Sequence, residues 1–340
     1  MNSMCLPNVK QAIFSAQYTF IRGRQLEGTY PGDRYTGIWP ITSNRVGRGW
    51  GYVPEEQWPY DTSVWPPVEP LGLDQIAIKN PDFYYQRVRT LEECKSVIRR
   101  GQSLVEVSLN ISDKWYNVPD GRIPENTVND IPVGGHSVLV YGFDDSCQEF
   151  AFRNSWGVNW GDKGNGRIPY AVFEACWVEG WCGGLAACPM DGNPNSGVAE
   201  RRWGVHEHGG RVLHCYEFVD SKAGRIAWAF FVERGQSVGV EELFVMPAFR
   251  RKGYGAELAN MIADHSRQQA ASLTVWISHA DTSPDNFLIV EKFAGRLGLK
   301  LSASPVRWAS YVVSSTAEAT ANGNSSPQVV RPLAIRYVRP

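Results

Sequence analysis

The run Gly134-Gly135-His136-Ser137-Val138-Leu139-Val140-Tyr141-Gly142-Phe143 reads as a strand that begins with a histidine. Glu149 to Arg153 reads as its neighbour, joined to it by a turn around Asp144-Asp145. Phe152-Arg153-Asn154-Ser155-Trp156-Gly157 follows, then Trp160-Gly161-Asp162-Lys163-Gly164-Asn165-Gly166. Far upstream, Val9, Ala12, Ile13 and Ala16 recur at helical spacing, which predicts a helix that follows Cys5. A thiol, an imidazole and an amide form a working set. A helix N-terminus and a nearby imidazolium favour the thiolate. The histidine takes the proton and returns it. An amide on its other nitrogen fixes tautomer and ring orientation, and a Trp beside that amide keeps water off the bond.

Gly-His-Ser-Val-Leu-Val-Tyr-Gly-Phe followed by Arg-Asn-Ser-Trp-Gly-x-x-Trp-Gly-x-x-Gly-x-Gly resembles the papain-like cysteine peptidase family over roughly residues 1–180. The resemblance implies a two-lobed fold and a peptide or protein substrate. It makes His136 the base, Asn154 the orienting amide, Trp156 its cover and Cys5 the nucleophile, since Cys5-Leu6-Pro7-Asn8 resembles the Cys-x-x-Asn start of bacterial members. Trp58-Pro59-Tyr60 resembles the family's aromatic-Pro-Tyr turn. The family's oxyanion Gln, six residues before its Cys, would fall before Met1. A start further upstream is the preferred expectation. A weakened site and a substitute donor are the alternatives.

Glu241-Glu242-Leu243-Phe244-Val245-Met246-Pro247-Ala248-Phe249-Arg250-Arg251-Lys252-Gly253-Tyr254-Gly255-Ala256-Glu257-Leu258 reads as strand, turn and helix. Gly253 and Gly255 let backbone approach a ligand, and the helix start offers N–H groups to an anion. Arg250, Arg251 and Lys252 add positive charge, so the turn suits a pyrophosphate. It resembles the acetyl-CoA motif of GNAT acetyltransferases, over about residues 200–340. The resemblance implies acetyl-CoA as co-substrate and an amine acceptor. Its cofactor contacts would be the backbone of Phe244 and Val245, the turn Arg250, Arg251, Lys252, Gly253, Tyr254, Gly255 and Ala256, and Asn286 beyond it. The family's Tyr acid falls on Ala294, and the usual acceptor-wall helices are short or missing. Glu241 or Glu242 would be the base. Neighbouring strand residues face opposite sides, so only one fits, and Glu242 is preferred.

Two domains suit 340 residues: 1–189 peptidase-like, 190–198 a linker rich in turn residues, and 199–340 GNAT-like. The predicted class is α+β, with a mixed, mostly antiparallel sheet in the second domain. Strands are expected at Leu104–Ile111, Val212–Val219, Ile226–Val232, Val238–Met246, Ser272–Ile277, about Arg307–Val313 and Val329–Val338. Helices are expected at Leu91–Gly101, Gly255–Arg267 and Pro284–Leu297. A net charge of −1, made of −4 before and +3 after Met190, argues against a nucleic-acid partner. No apolar run reaches membrane length and no signal peptide is visible, so a cytoplasmic protein with reduced thiols is expected. Seven cysteines without a C-x-x-C pair argue against disulfides and a metal centre. The expected function is bifunctional: cysteine-type amide cleavage plus acetyl transfer from acetyl-CoA to an amine. The alternatives are an acetyltransferase carrying an inactive peptidase fold and a non-enzymatic CoA sensor.

Overall fold

Helix α1 (Ala16–Leu26) starts where the Ser15 hydroxyl accepts the Tyr18 N–H at 3.0 Å. The computed structural model describes residues 13–77, 83–101, 103–185, 199–208, 211–221, 223–234, 237–268, 272–277, 300–301 and 333–338. At Phe14 and Ser15 the chain is extended: Phe14 bridges Pro54 and the Ser15 N–H donates to Val53 O. The predicted helix through Ile13 and Ala16 is therefore corrected. Ile13 is 73% exposed, and the cap at Ser15 fixes the helix start eleven residues after Cys5. Cys5 itself lies outside the described residues.

Helix α2 (Pro40–Gly49) has Pro at its first turn, where a missing N–H costs nothing. Helix α3 (Leu73–Ala77) closes a small core with Tyr18, Ile21, Val46, Val53 and Trp58. Helix α4 (Leu91–Arg99) matches its prediction. Thr90 caps it by accepting the Glu93 N–H, and Gly101 ends it in left-handed backbone at φ 65°.

The first sheet contains β1 (Phe83–Val88), β2 (Val105–Ile111), β3 (Gly134–Asp144), β4 (Glu149–Arg153), β5 (Asn165–Pro169) and β6 (Trp177–Leu185). Its order is β1-β6-β2-β3-β4-β5, all antiparallel. Val105, Val107, Leu109, Val138, Val140, Phe150 and Phe152 bury their alternate face with helix α5 (Tyr170–Cys176).

The second sheet contains β7 (Glu200–His208), β8 (Arg211–Asp220), β9 (Gly224–Arg234), β10 (Ser237–Val245), β11 (Ser272–Ile277), β12 (Lys300–Leu301) and β13 (Leu333–Val338), in the order β12-β13-β11-β10-β9-β8-β7. Among the described strands only β10 and β11 pair in parallel, and helix α6 (Tyr254–Gln268) makes that crossover. The segment where the acceptor-wall helices are expected to be short or missing holds the strand β7. The linker at 190–198, the helix at 284–297 and the strand at 307–313 fall outside the described residues. No helix of the described residues is long and apolar enough to cross a membrane.

Strand β9 explains the architecture. Its run Ile226 to Val232 is continuously apolar and buried, as a strand covered on both faces must be. Ala227, Ala229 and Phe231 face α6 with Leu258 and Ile262. Trp228, Phe230 and Val232 face the other way, into a core shared with Ile41 of α2, Tyr85 of β1 and Trp181 of β6. The two halves thus share one apolar core. Gly49, at the end of α2, lets them meet: a Cβ there would lie 2.6 Å from Met246 Sδ and 3.2 Å from Trp228. Buried ion pairs line the same seam, Arg45 with Glu242, Arg48 with Glu217 and Arg89 with Glu241.

These pairs correct the reading of Glu242 as a base. A bulge between Val240 and Glu242 makes Glu241 an extra residue, so strict alternation is lost and both glutamates meet arginines of the first half. A carboxylate 5% exposed and held by a guanidinium is closed to an incoming amine.

Candidate active site

Strand pairing assembles the first site. Leu139 pairs with Arg153, so β3 and β4 carry His136 and Asn154 to the same end of the sheet. His136 Nε2 and Asn154 Oδ1 are 2.8 Å apart. The same oxygen accepts the Ser155 N–H at 2.8 Å. It is therefore an acceptor toward the ring as well. That assignment puts the imidazole proton on Nε2 and leaves a lone pair on Nδ1 to receive a proton.

Trp156 stacks on the His136 ring at 4.5 Å and on the Tyr116 ring at 5.1 Å. Trp160 meets Trp156 edge-on at 5.6 Å, and the Trp160 indole N–H donates to Trp115 O. Asn154 is buried, with its N–H donating to Gly164 O at 2.9 Å. Two glycines of the motif are sterically required. A Cβ at Gly164, where φ is 83°, would sit 2.9 Å from Gly157 O, and one at Gly166 would sit 2.4 Å from the Phe152 ring. Burial holds the His136 imidazole below its ordinary pKa, and the Asn154 hydrogen bond opposes that shift. The ring is thus neutral near pH 7, ready to accept a proton.

The described cysteines do not supply the thiol. Cys94, Cys176, Cys182 and Cys215 are buried. Burial pushes the Cys176 thiol up to about 11 and the Cys182 thiol up to about 12, and raises Cys94 further. Cys147 is exposed in the β3–β4 turn, at the far end of β3 from His136. Trp160 lies within the sequence motif, whereas Trp115 and Tyr116 carry no local sequence signal, because their contacts arise from tertiary packing.

The second site is the turn after β10. Its ladder to β11 ends at Val240–Val275, whereas β10 continues to Val245, so the two strands part at the bulge. Phe244 is buried in the seam, and its ring lies under the Arg45 guanidinium at 4.7 Å. Arg250 Nε donates to Val245 O at 3.2 Å. Arg251 and Gly253 have φ of 63° and 92°, and the Glu257 N–H to Gly253 O bond opens α6. Arg250, Arg251, Lys252 and Gly253 are exposed, with Tyr254, Gly255 and Ala256 partly so. This set presents helix N–H groups and three cations on one turn, which suits a diphosphate. Asn286 and Ala294 lie outside the described residues.

The family model for the acetyltransferase (GNAT) family matches residues 184–293. An uncharacterized peptidase C1-like protein of Acanthamoeba polyphaga mimivirus is 24% identical over 169 residues, 46% of this chain and 53% of that one. The chain thus spans about half the length of the curated relative it matches. Among solved structures, xylellain, a cysteine protease from Xylella fastidiosa, is 25% identical with a TM-score of 0.47, covering 53% of this chain and 72% of that one. A GNAT-family acetyltransferase from Staphylococcus aureus is 11% identical with a TM-score of 0.22, covering 26% and 54%. The N-terminal region resembles papain-like cysteine peptidases, and the C-terminal region matches the GNAT family.

Proposed function

We propose that the first half cleaves amide bonds with a thiol and that the second half transfers acetyl groups from acetyl-CoA to an amine. The observation that carries the first part is the 2.8 Å His136–Asn154 bond under Trp156. Cys5 is the thiol of this reading because Cys5-Leu6-Pro7-Asn8 resembles the family's Cys-x-x-Asn start, and the five described cysteines are buried or remote from His136. Its sulfur attacks the amide carbonyl while His136 Nδ1 takes the thiol proton. The proton passes to the leaving amine as the C–N bond breaks and a thioester forms. Water, deprotonated by His136, then hydrolyses the thioester and frees the sulfur. Asn154 holds the ring through both steps.

In the second half, the exposed turn from Arg250 to Ala256 supports diphosphate binding, and the parting of β10 from β11 supports a place for the pantetheine arm. The amine attacks the acetyl carbonyl and CoA leaves as its thiol. Gly253→Asp and Gly255→Asp each put a carboxylate at the turn. The stabilisation by CoA seen in thermal unfolding of the wild type should vanish in both. A full CoA shift in either variant would move the phosphates elsewhere.

A second reading keeps the first half as an inactive wall for the second sheet. The buried seam of α2 against β9 favours it. Peptide cleavage by the wild type, lost in His136→Ala, would exclude it.

A further inference from the structure

Between β8, β9 and α6, away from both sites, two imidazoles and a carboxylate converge. His214 Nε2 and His265 Nε2 lie 3.4 and 2.6 Å from the same oxygen, Glu233 Oε1, and the three ligand atoms are all within 4.8 Å of one another. Ligands held at about 2.0–2.2 Å from one ion sit roughly 3–3.5 Å apart, so only small shifts would close the set. Phe231 orients both rings. His214 stacks flat on it, with an interplanar angle of 8° at 4.8 Å, and His265 meets it edge-on at 4.8 Å. Phe231 is fully buried, which gives the donors a rigid base. A single surface ion pair would need only one of these imidazoles.

We propose that His214, Glu233 and His265 bind a divalent transition ion of the zinc type, with a fourth position open to water. Two imidazoles and one carboxylate suit such an ion better than calcium or magnesium, which prefer oxygen ligands. The ligands come from three elements, so the ion would pin the C-terminal half of α6 to the sheet. From Tyr254 to His265 the helix rises about 16 Å, so the cofactor turn at its other end is a separate site. The sequence gives no sign of it, because the ligands lie on different elements and match no short spacing pattern.

The test uses the full chain after chelator treatment, under reducing conditions, titrated with zinc by calorimetry and with cobalt by visible absorption. One equivalent should bind without sulfur-to-cobalt charge transfer, which separates this site from the cysteines. Excess zinc should raise the unfolding temperature by on the order of 5 °C. His265→Ala and His214→Ala should each lower affinity by at least about 100-fold, beyond the loss usual for outer-sphere positions. Glu233→Gln, a size-conserving change at an exposed strand end, should remove the thermal shift without a folding defect. The absence of binding, a cobalt–sulfur band at the first equivalent, or equal binding in Glu233→Gln would overturn the proposal.

Discussion

Arg45 donates Nε and Nη2 to the two oxygens of Glu242, at 3.1 and 2.9 Å, from a position 197 residues away in the chain. The Tyr85 hydroxyl reaches the same carboxylate at 3.3 Å and accepts the Trp228 indole N–H at 3.0 Å. One cluster therefore ties α2 and β1 of the first half to β9 and β10 of the second. Glu242 thereby acts as a joint between the halves.

Breaking this joint should be costly, because each charge is buried and depends on the other. Arg45→Met leaves the Glu242 carboxylate without its guanidinium and should destabilise by about 3–5 kcal/mol. Arg45→Met with Glu242→Leu should recover most of that loss. Urea unfolding followed by Trp fluorescence measures both. A loss below about 1 kcal/mol for the single variant would put the joint in solvent.

Trp156 stacks on the His136 ring, and burial is the main cause of that residue's lowered pKa. Trp156→Ala should let water in and return the imidazole toward its ordinary value near 6.5. NMR titration of the His136 ring reads this without any need for turnover. An unchanged low pKa in the variant would show that Trp156 does not shield the pair.

Glu106 in β2 gives a stability signature with a definite sign. Burial first, and then the nearby Glu179 carboxylate, push its pKa from 4.5 to about 8. The folded protein keeps a proton that the unfolded chain has released. Stability should therefore fall as pH rises from about 4.5 to about 8, and level off above. Glu106→Gln should flatten this slope and stabilise the protein at pH 8 by on the order of 2 kcal/mol. An equal slope in the variant, in thermal unfolding from pH 5 to pH 8.5, would assign the effect to other groups.

The parts legible in the sequence were those whose signals are local. The His136 and Asn154 strands, the capped helix α4 and the turn at Gly253 each carry their residues within a short run. Helix α2 was not legible. Its buried surface holds Asn44, Arg45 and Arg48 beside Ile41 and Val46, because it packs on carboxylates of the other half. An apolar period cannot form on such a face. Strands β1 and β6 were missed for a related reason: Gln86, Arg87 and Glu179 are buried within them. At the site, the apolar spacing from Val9 to Ala16 suggested a helix, yet the Ser15 cap and the Phe14–Pro54 bridge decide where it begins.

The central claim is that His136 serves a thiol nucleophile at Cys5. The direct measurement is labelling with a thiol-reactive peptide analogue, with the modified residue located by mass spectrometry in the wild type and in His136→Ala. The account predicts near-stoichiometric modification at Cys5 in the wild type and strong loss of it in His136→Ala, with the other six cysteines unlabelled in both. Labelling of Cys5 at equal rates in the two proteins, or selective labelling of another cysteine, would contradict it.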